Sequence, residues 1–199
     1  IREATVPRKE AAKPVLEALA NATGETAHVT VLSGTTVYAL NDYESPHHGT
    51  RAVIDINTFP LHATASGLCA LAFGDAKLWE TAVSKLEGFT TTTPTTESDL
   101  LALIDGVRKS GFGHSDQSYE DEIQGVAAPV FDHTGHLAGA VAVACVASRL
   151  TPDLEQTIKS ELIIAAREIS RSWGGTIPAH IEAAWAKSVT HPHTPETAQ

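Results

Sequence analysis

The chain has 199 residues, 42% of them apolar and 19% charged, the balance of a globular domain of ordinary size rather than a disordered tract. Twenty-four acids against fourteen Lys and Arg leave a net charge of −10, which excludes a phosphate-neutralising face and makes this stretch a poor partner for nucleic acid. No apolar run approaches the roughly 20 residues of a membrane span, and no basic-then-apolar start marks a signal peptide.

In chain order, residues 4–20 read as a helix, with Val15, Leu16 and Leu19 at helical spacing and Pro14 as a start or kink. Two β-rich runs follow, 28–32 and 35–40, joined across Ser33-Gly34 as a tight hairpin. A polar loop over 41–50 leads to a third strand over 51–56, where Val53 alternates with Asp55.

Residues 61–73, LHATASGLCALAF, are the stretch around which the rest is organised. A polar, small-residue run turns into an apolar segment that must be buried, and Thr64 or Ser66 is placed to cap the first turn of a helix. Such a junction is either a capped core helix or a site where free amides and the helix dipole hold an anion. A second helix is expected over 75–86, with Leu78, Trp79, Ala82 and Leu86 on one stripe. After a threonine-rich loop, Thr96 caps a helix carrying Leu100, Leu103, Ile104 and Val107, which Gly111 ends.

The strongest sheet signal is a hairpin of 123–131 with 137–147 about the turn Asp132–His136. Its second arm is nearly continuous small apolar residues and should be a central strand covered on both faces, while Pro129 marks a bulge or an unpaired position in the first. Thr151-Pro152 starts a long helix whose stripe runs through Ile158, Leu162, Ala165, Ile169 and Trp173 to Gly174-Gly175. Residues 177–189 form one more short helix, and 191–199 should fray. The order of elements is that of an α+β domain with an antiparallel sheet.

Chemistry is sparse. The ten histidines lack a third ligand at metal spacing, Ser66 is not in a GxSxG elbow, and no phosphate-binding glycine loop occurs, so neither a metal, a cofactor nor catalysis is expected. Cys69 and Cys145 lie in apolar runs and read as reduced core thiols of a cytoplasmic protein. A chain that starts at Ile1 and contains no Met is expected to be part of a longer protein.

Taken together, residues 61–73, the threonine stretch before Glu97, Gly111-Phe112, AAPVFDHTGHLAGAVAV at 127–143 and Arg149-Leu150 resemble the effector-binding domain of the IclR family of bacterial transcription regulators. The resemblance runs from Gly24 to Trp173, about three quarters of the chain. It implies a GAF-like fold, a twisted antiparallel sheet with helices packed on its faces. It divides the chain into an effector-binding domain over 1–175 and a C-terminal extension over 176–199, partly disordered. It further implies a small-molecule effector, a homodimer or tetramer, and a repressor or activator that reaches operator DNA through an N-terminal winged helix-turn-helix outside this chain. A stand-alone GAF-like binding domain is the alternative, and a hydrolase using Ser66 a distant third.

Family members that bind small organic acids hold the carboxylate on main-chain amides at the positions of Ala65, Ser66 and Gly67. The family's other polar positions differ here: Ser115 stands for an Asp, Gly125 for a Cys, and Ala142 and Ala144 for two strand serines. Losing those partners and their volume favours a bulkier aromatic or hydrophobic effector, with Phe59 and Ile123 as apolar walls.

Overall fold

The computed structural model describes residues 2–189, with the side chains of 2–6 left aside; the tail expected to fray, 191–199, lies outside the described residues. Six helices and six strands alternate as α1 (Arg2–Thr23), β1 (Thr26–Ser33), β2 (Thr36–Tyr43), β3 (Thr58–Phe59), α2 (Ala65–Phe73), α3 (Ala76–Val83), α4 (Glu97–Ser110), β4 (Gly113–Asp116), β5 (Ile123–Phe131), β6 (Leu137–Val146), α5 (Pro152–Ser172) and α6 (Ala179–Ser188). The strands form one antiparallel sheet in the order β3-β2-β1-β6-β5-β4. The α+β expectation therefore holds.

The small residues of β6 explain why it is central. Its ten residues are buried but for Val146, with β5 paired along its length and β1 paired from Gly139 to Ala144. Gly139 lets β1 close in, since a Cβ there would run into the Thr30 carbonyl. On one face, Val126, Ala128, Val130, Val141 and Val143 join Leu16 and Leu19 of α1 and Ile158, Leu162 and Ile169 of α5 in the main core. On the other face α2 lies on β4, β5 and β6, backed by α4, and α6 packs in turn on α4.

The cap expectations hold. Thr64, Thr96 and Thr151 each accept a first-turn amide, from Gly67, Asp99 and Leu154, and Gly111 closes α4 with φ of 79°. Hairpin β1–β2 turns one residue later than expected, with Ser33 paired to Thr36 and Gly34 at φ 60°. The ladder bulges between Val130 and Phe131, one residue past Pro129.

Two expectations are corrected, and one element is new. Residues 51–56 are not a strand but an extended segment without ladder bonds; the short third strand is Thr58–Phe59, paired to Val37 and Tyr38. The helix over 75–86 is shorter, Ala76–Val83, and Leu86 packs on the core from the following loop. The edge strand β4 was not foreseen, because GHSD carries no apolar alternation and is strand only by pairing with β5. At the other end, α6 buries Trp185, whose Nε1 donates to the Gly111 carbonyl at 2.8 Å.

A candidate effector cleft beneath the start of α2

Antiparallel register decides which side chains share the α2 face. Ser115, Gly125, Ala144 and Thr26 form one row across four strands, and Gly113, Ala127, Ala142 and His28 form the next. In the second row, three side chains no larger than a methyl let α2 settle directly on the sheet. A Cβ on Gly113 would lie inside contact distance of the Ala65 carbonyl and 3.1 Å from Cys69 Sγ. Ala65, Cys69, Ala127, Ala140 and Ala142 close into a small buried cluster there. Burial pushes the Cys69 thiol up to about 12, and Cys145, also buried and free, stands at about 12 as well, so both remain thiols at neutral pH.

Where the first row begins, the helix no longer covers the sheet and a cleft opens. Its empty volume, open mouth included, is about 590 Å³. The sheet supplies Ser115, Ile123, Gly125, Ala144, His28 and Phe59; the α2 junction supplies Ala63, Thr64, Ala65 and Ser66. Residues 52–56 lie across it as a lid, with Ile54 and Ile56 half-buried, and Tyr119 and Glu120 form the far rim. Thr26 Oγ1 holds the lid's Ala52 carbonyl at 2.6 Å, and Ala39 N donates to the Asn57 carbonyl at 2.8 Å beyond its other end.

Of the nine residues singled out from the sequence, seven line this cleft: Phe59, Ala65, Ser66, Ser115, Ile123, Gly125 and Ala144. Two do not. Gly67 is turned against Pro60 and Leu61, and its amide is engaged by Thr64 Oγ1 at 3.1 Å, so it offers no free donor. Ala142 lies under α2 in the alanine cluster, one row away from the opening. Leu68 N bonds to Thr64 O, which leaves Ala65 and Ser66 as the first-turn amides outside both bonds.

Ser115 has its hydroxyl donated to the Ala63 carbonyl at 2.9 Å, tying β4 to the junction instead of presenting it to the cleft. Among the described residues three side-chain polar atoms are buried without a partner, and two of them belong to residues of the cleft, Ser66 Oγ and His28 Nδ1; the third is Trp173 Nε1. His28 was not foreseen from the sequence. It stacks on Phe59 with centroids 5.3 Å apart at 16°, and desolvation pushes its pKa down to about 4, so the ring is neutral. The sequence signal for it is a histidine in a strand otherwise apolar, threonine or, at its last position, serine. The lid is not legible either, because 51–56 alternates like a strand, and Tyr119 and Glu120 belong to a segment without periodicity.

The far rim is held by the threonine run that the sequence left as a plain loop. Thr90, Thr92 and Thr93 donate their hydroxyls to the carbonyls of Asp116, Gln117 and Ser118, at 2.6 to 2.9 Å. Those bonds support the left-handed Gln117 and Glu122 on either side of Tyr119, a conformation unusual for residues other than glycine. The position of α2 admits a direct test. Replacing Gly113 by Ala is expected to destabilise the domain by about 1–3 kcal/mol through overpacking. Urea denaturation would read this; an unchanged midpoint would mean that α2 does not rest on β4.

The bacterial transcriptional regulator IclR C-terminal family model matches residues 5–171. The HTH-type transcriptional regulator BhcR of Paracoccus denitrificans is 31% identical over 165 residues, covering 81% of this chain and 58% of that protein. This chain thus spans little more than half of that relative's length. A crystal structure described as an IclR transcriptional regulator from a Silicibacter species superposes with a TM-score of 0.84 at 32% identity, over 90% of this chain and 71% of the other. An IclR homologue of Microbacterium hydrocarbonoxydans, crystallised with 4-hydroxybenzoate, shares the fold with a TM-score of 0.73 at 22% identity, over 85% of this chain and 69% of that one.

Proposed function

Since this chain belongs to the IclR family of bacterial transcriptional regulators, whose C-terminal domain it represents, we propose that it is the effector-sensing part of such a regulator and that the cleft under α2 is where the effector binds. The observation that carries this reading is the cleft itself, apolar-walled, lidded, and lined by two residues that each carry a buried polar atom without a protein partner. Residues 1–175 form the sensing unit and 176–199 an extension, of which α6 is anchored by Trp185 and by the Arg167–Glu182 pair. Operator DNA would be reached through a helix-turn-helix outside this chain, and the domain would assemble as a dimer or tetramer in the cytoplasm. Such a unit acts by changing affinity elsewhere, so no catalytic role is assigned to Ser66.

The effector is an aromatic or hydrophobic compound. His28, Phe59, Ile54, Ile56 and Ile123 give flat and branched apolar surface, and burial of a ring against it is worth about 25 cal/mol per Å². The other polar partners a small oxoacid would need are engaged internally, as Ser115 shows. The homologue crystallised with 4-hydroxybenzoate gives a precedent in this fold. A thermal-shift panel tests the reading, since a ligand that binds only the folded state raises Tm. Aryl compounds should stabilise the domain more than glyoxylate or pyruvate; the reverse order would reject the aromatic assignment.

A further inference from the structure

We infer that His28 and Ser66 are the polar recognition pair of the cleft and that they select an uncharged ring compound bearing a neutral hydrogen-bonding head, such as a phenol or carboxamide, over a carboxylate. This rests on the effector reading above and sharpens it. Both residues are more than nine-tenths buried, 6% and 2% exposed; both line the cleft, and each carries a buried polar atom that no protein group satisfies. Buried polar atoms are ordinarily paired, so two orphans on residues that line one cleft mark where a ligand supplies what the fold omits. Hydroxyl and neutral imidazole are each able to donate or accept, which suits a head that does both.

Charge points the same way. No Lys or Arg lines the cleft; its charged side chains are Asp55 in the lid and Glu120 on the rim, both acidic. The neutral ring of His28 supplies no cation. A carboxylate entering here would exchange water for the amides of Ala65 and Ser66 alone, with two like charges at the mouth, whereas a neutral head loses little on desolvation. The His28–Phe59 stack, close to parallel, offers the plane on which a ring would lie.

The test is calorimetric titration of the chain with 4-hydroxybenzamide and 4-hydroxybenzoate, which share ring and phenol and differ in charge. The benzamide is expected to bind about tenfold or more tightly than the benzoate, and His28→Leu and Ser66→Ala each to weaken benzamide binding by about tenfold. A merely structural His28 would lower the ligand-free Tm on replacement; here Tm should stay level or rise, because the orphaned nitrogen is removed. Tighter benzoate binding would overturn the charge selection and leave the effector reading standing. Unchanged benzamide binding in both variants would overturn the pair. Failure of the benzamide to bind the unaltered chain would reject this inference, and the effector reading falls only if the wider aryl panel also fails.

Discussion

Lowering the pH from 6.5 to 4 is expected to remove about 3 kcal/mol of folding stability through His28 alone. Burial depresses the folded-state pKa to about 4, against 6.5 for an ordinary histidine. Between those values the unfolded chain takes up a proton that the folded chain refuses. Stability is therefore fully present above pH 6.5, falls as the pH falls, and levels off once the folded ring also titrates. Asp42 is raised chiefly by burial, and Asp132 is held low by hydrogen bonds from Thr134 and Arg8 against the opposing effect of burial, so both carboxylates add their own pH dependence on the acid side. Comparison with His28→Leu removes their contribution, because both carboxylates are common to the two chains. Urea midpoints at a series of pH values should separate toward acid, the unaltered chain losing about 3 kcal/mol more than the variant. Parallel curves would mean that the ring is solvated.

The second large effect concerns the pair Glu25–Arg149. Glu25 is 1% exposed, and both its oxygens accept from the guanidinium at 2.8 Å, while Arg149 Nη1 also donates to the Thr50 carbonyl at 2.7 Å. Arg149→Met leaves a carboxylate buried without a countercharge and is expected to destabilise by about 3–5 kcal/mol. Glu25→Leu should be milder, since the freed guanidinium is partly solvated already. The double variant should recover much of the loss, because the stranded charge is gone. Urea denaturation of the four chains gives the coupling directly. A cost below about 1 kcal/mol for Arg149→Met would place the pair among ordinary surface bridges.

How much of this was legible in the sequence follows from which segments make their own structure. Helix α5 is defined locally by Thr151, Pro152 and a stripe of every fourth residue, and β6 by its unbroken small apolar run; both stand where the residues put them. By contrast β4 is a strand only because β5 lies beside it, and 51–56 alternates like a strand but has no neighbour with which to pair. In the cleft, the α2 junction and the small row residues were readable from composition. His28 was not, because nothing local distinguishes a buried histidine from an exposed one; the register that sets it opposite Ala142 and the lid that covers it are both long-range. Gly67 was misassigned for a related reason: its amide is claimed by a cap three residues back, a geometry that a list of small residues does not reveal.

The two bonds that hold the lid set a ceiling on traffic. Among the described residues, 53–56 carry no hydrogen bond, while Ala52 on one side and Asn57 on the other are fixed by Thr26 and Ala39. Five residue steps separate those anchors, at most about 17 Å of backbone when fully drawn out. A bridge so short, moored at both banks, bows outward but does not swing aside like a free arm. Whatever passes beneath it must be slim in one dimension, as a single substituted ring is when it travels edge-on. Selection would then begin at the doorway, by thickness, before any polar atom inside is reached, and lengthening the bridge would widen the range of molecules admitted without altering the chamber behind it.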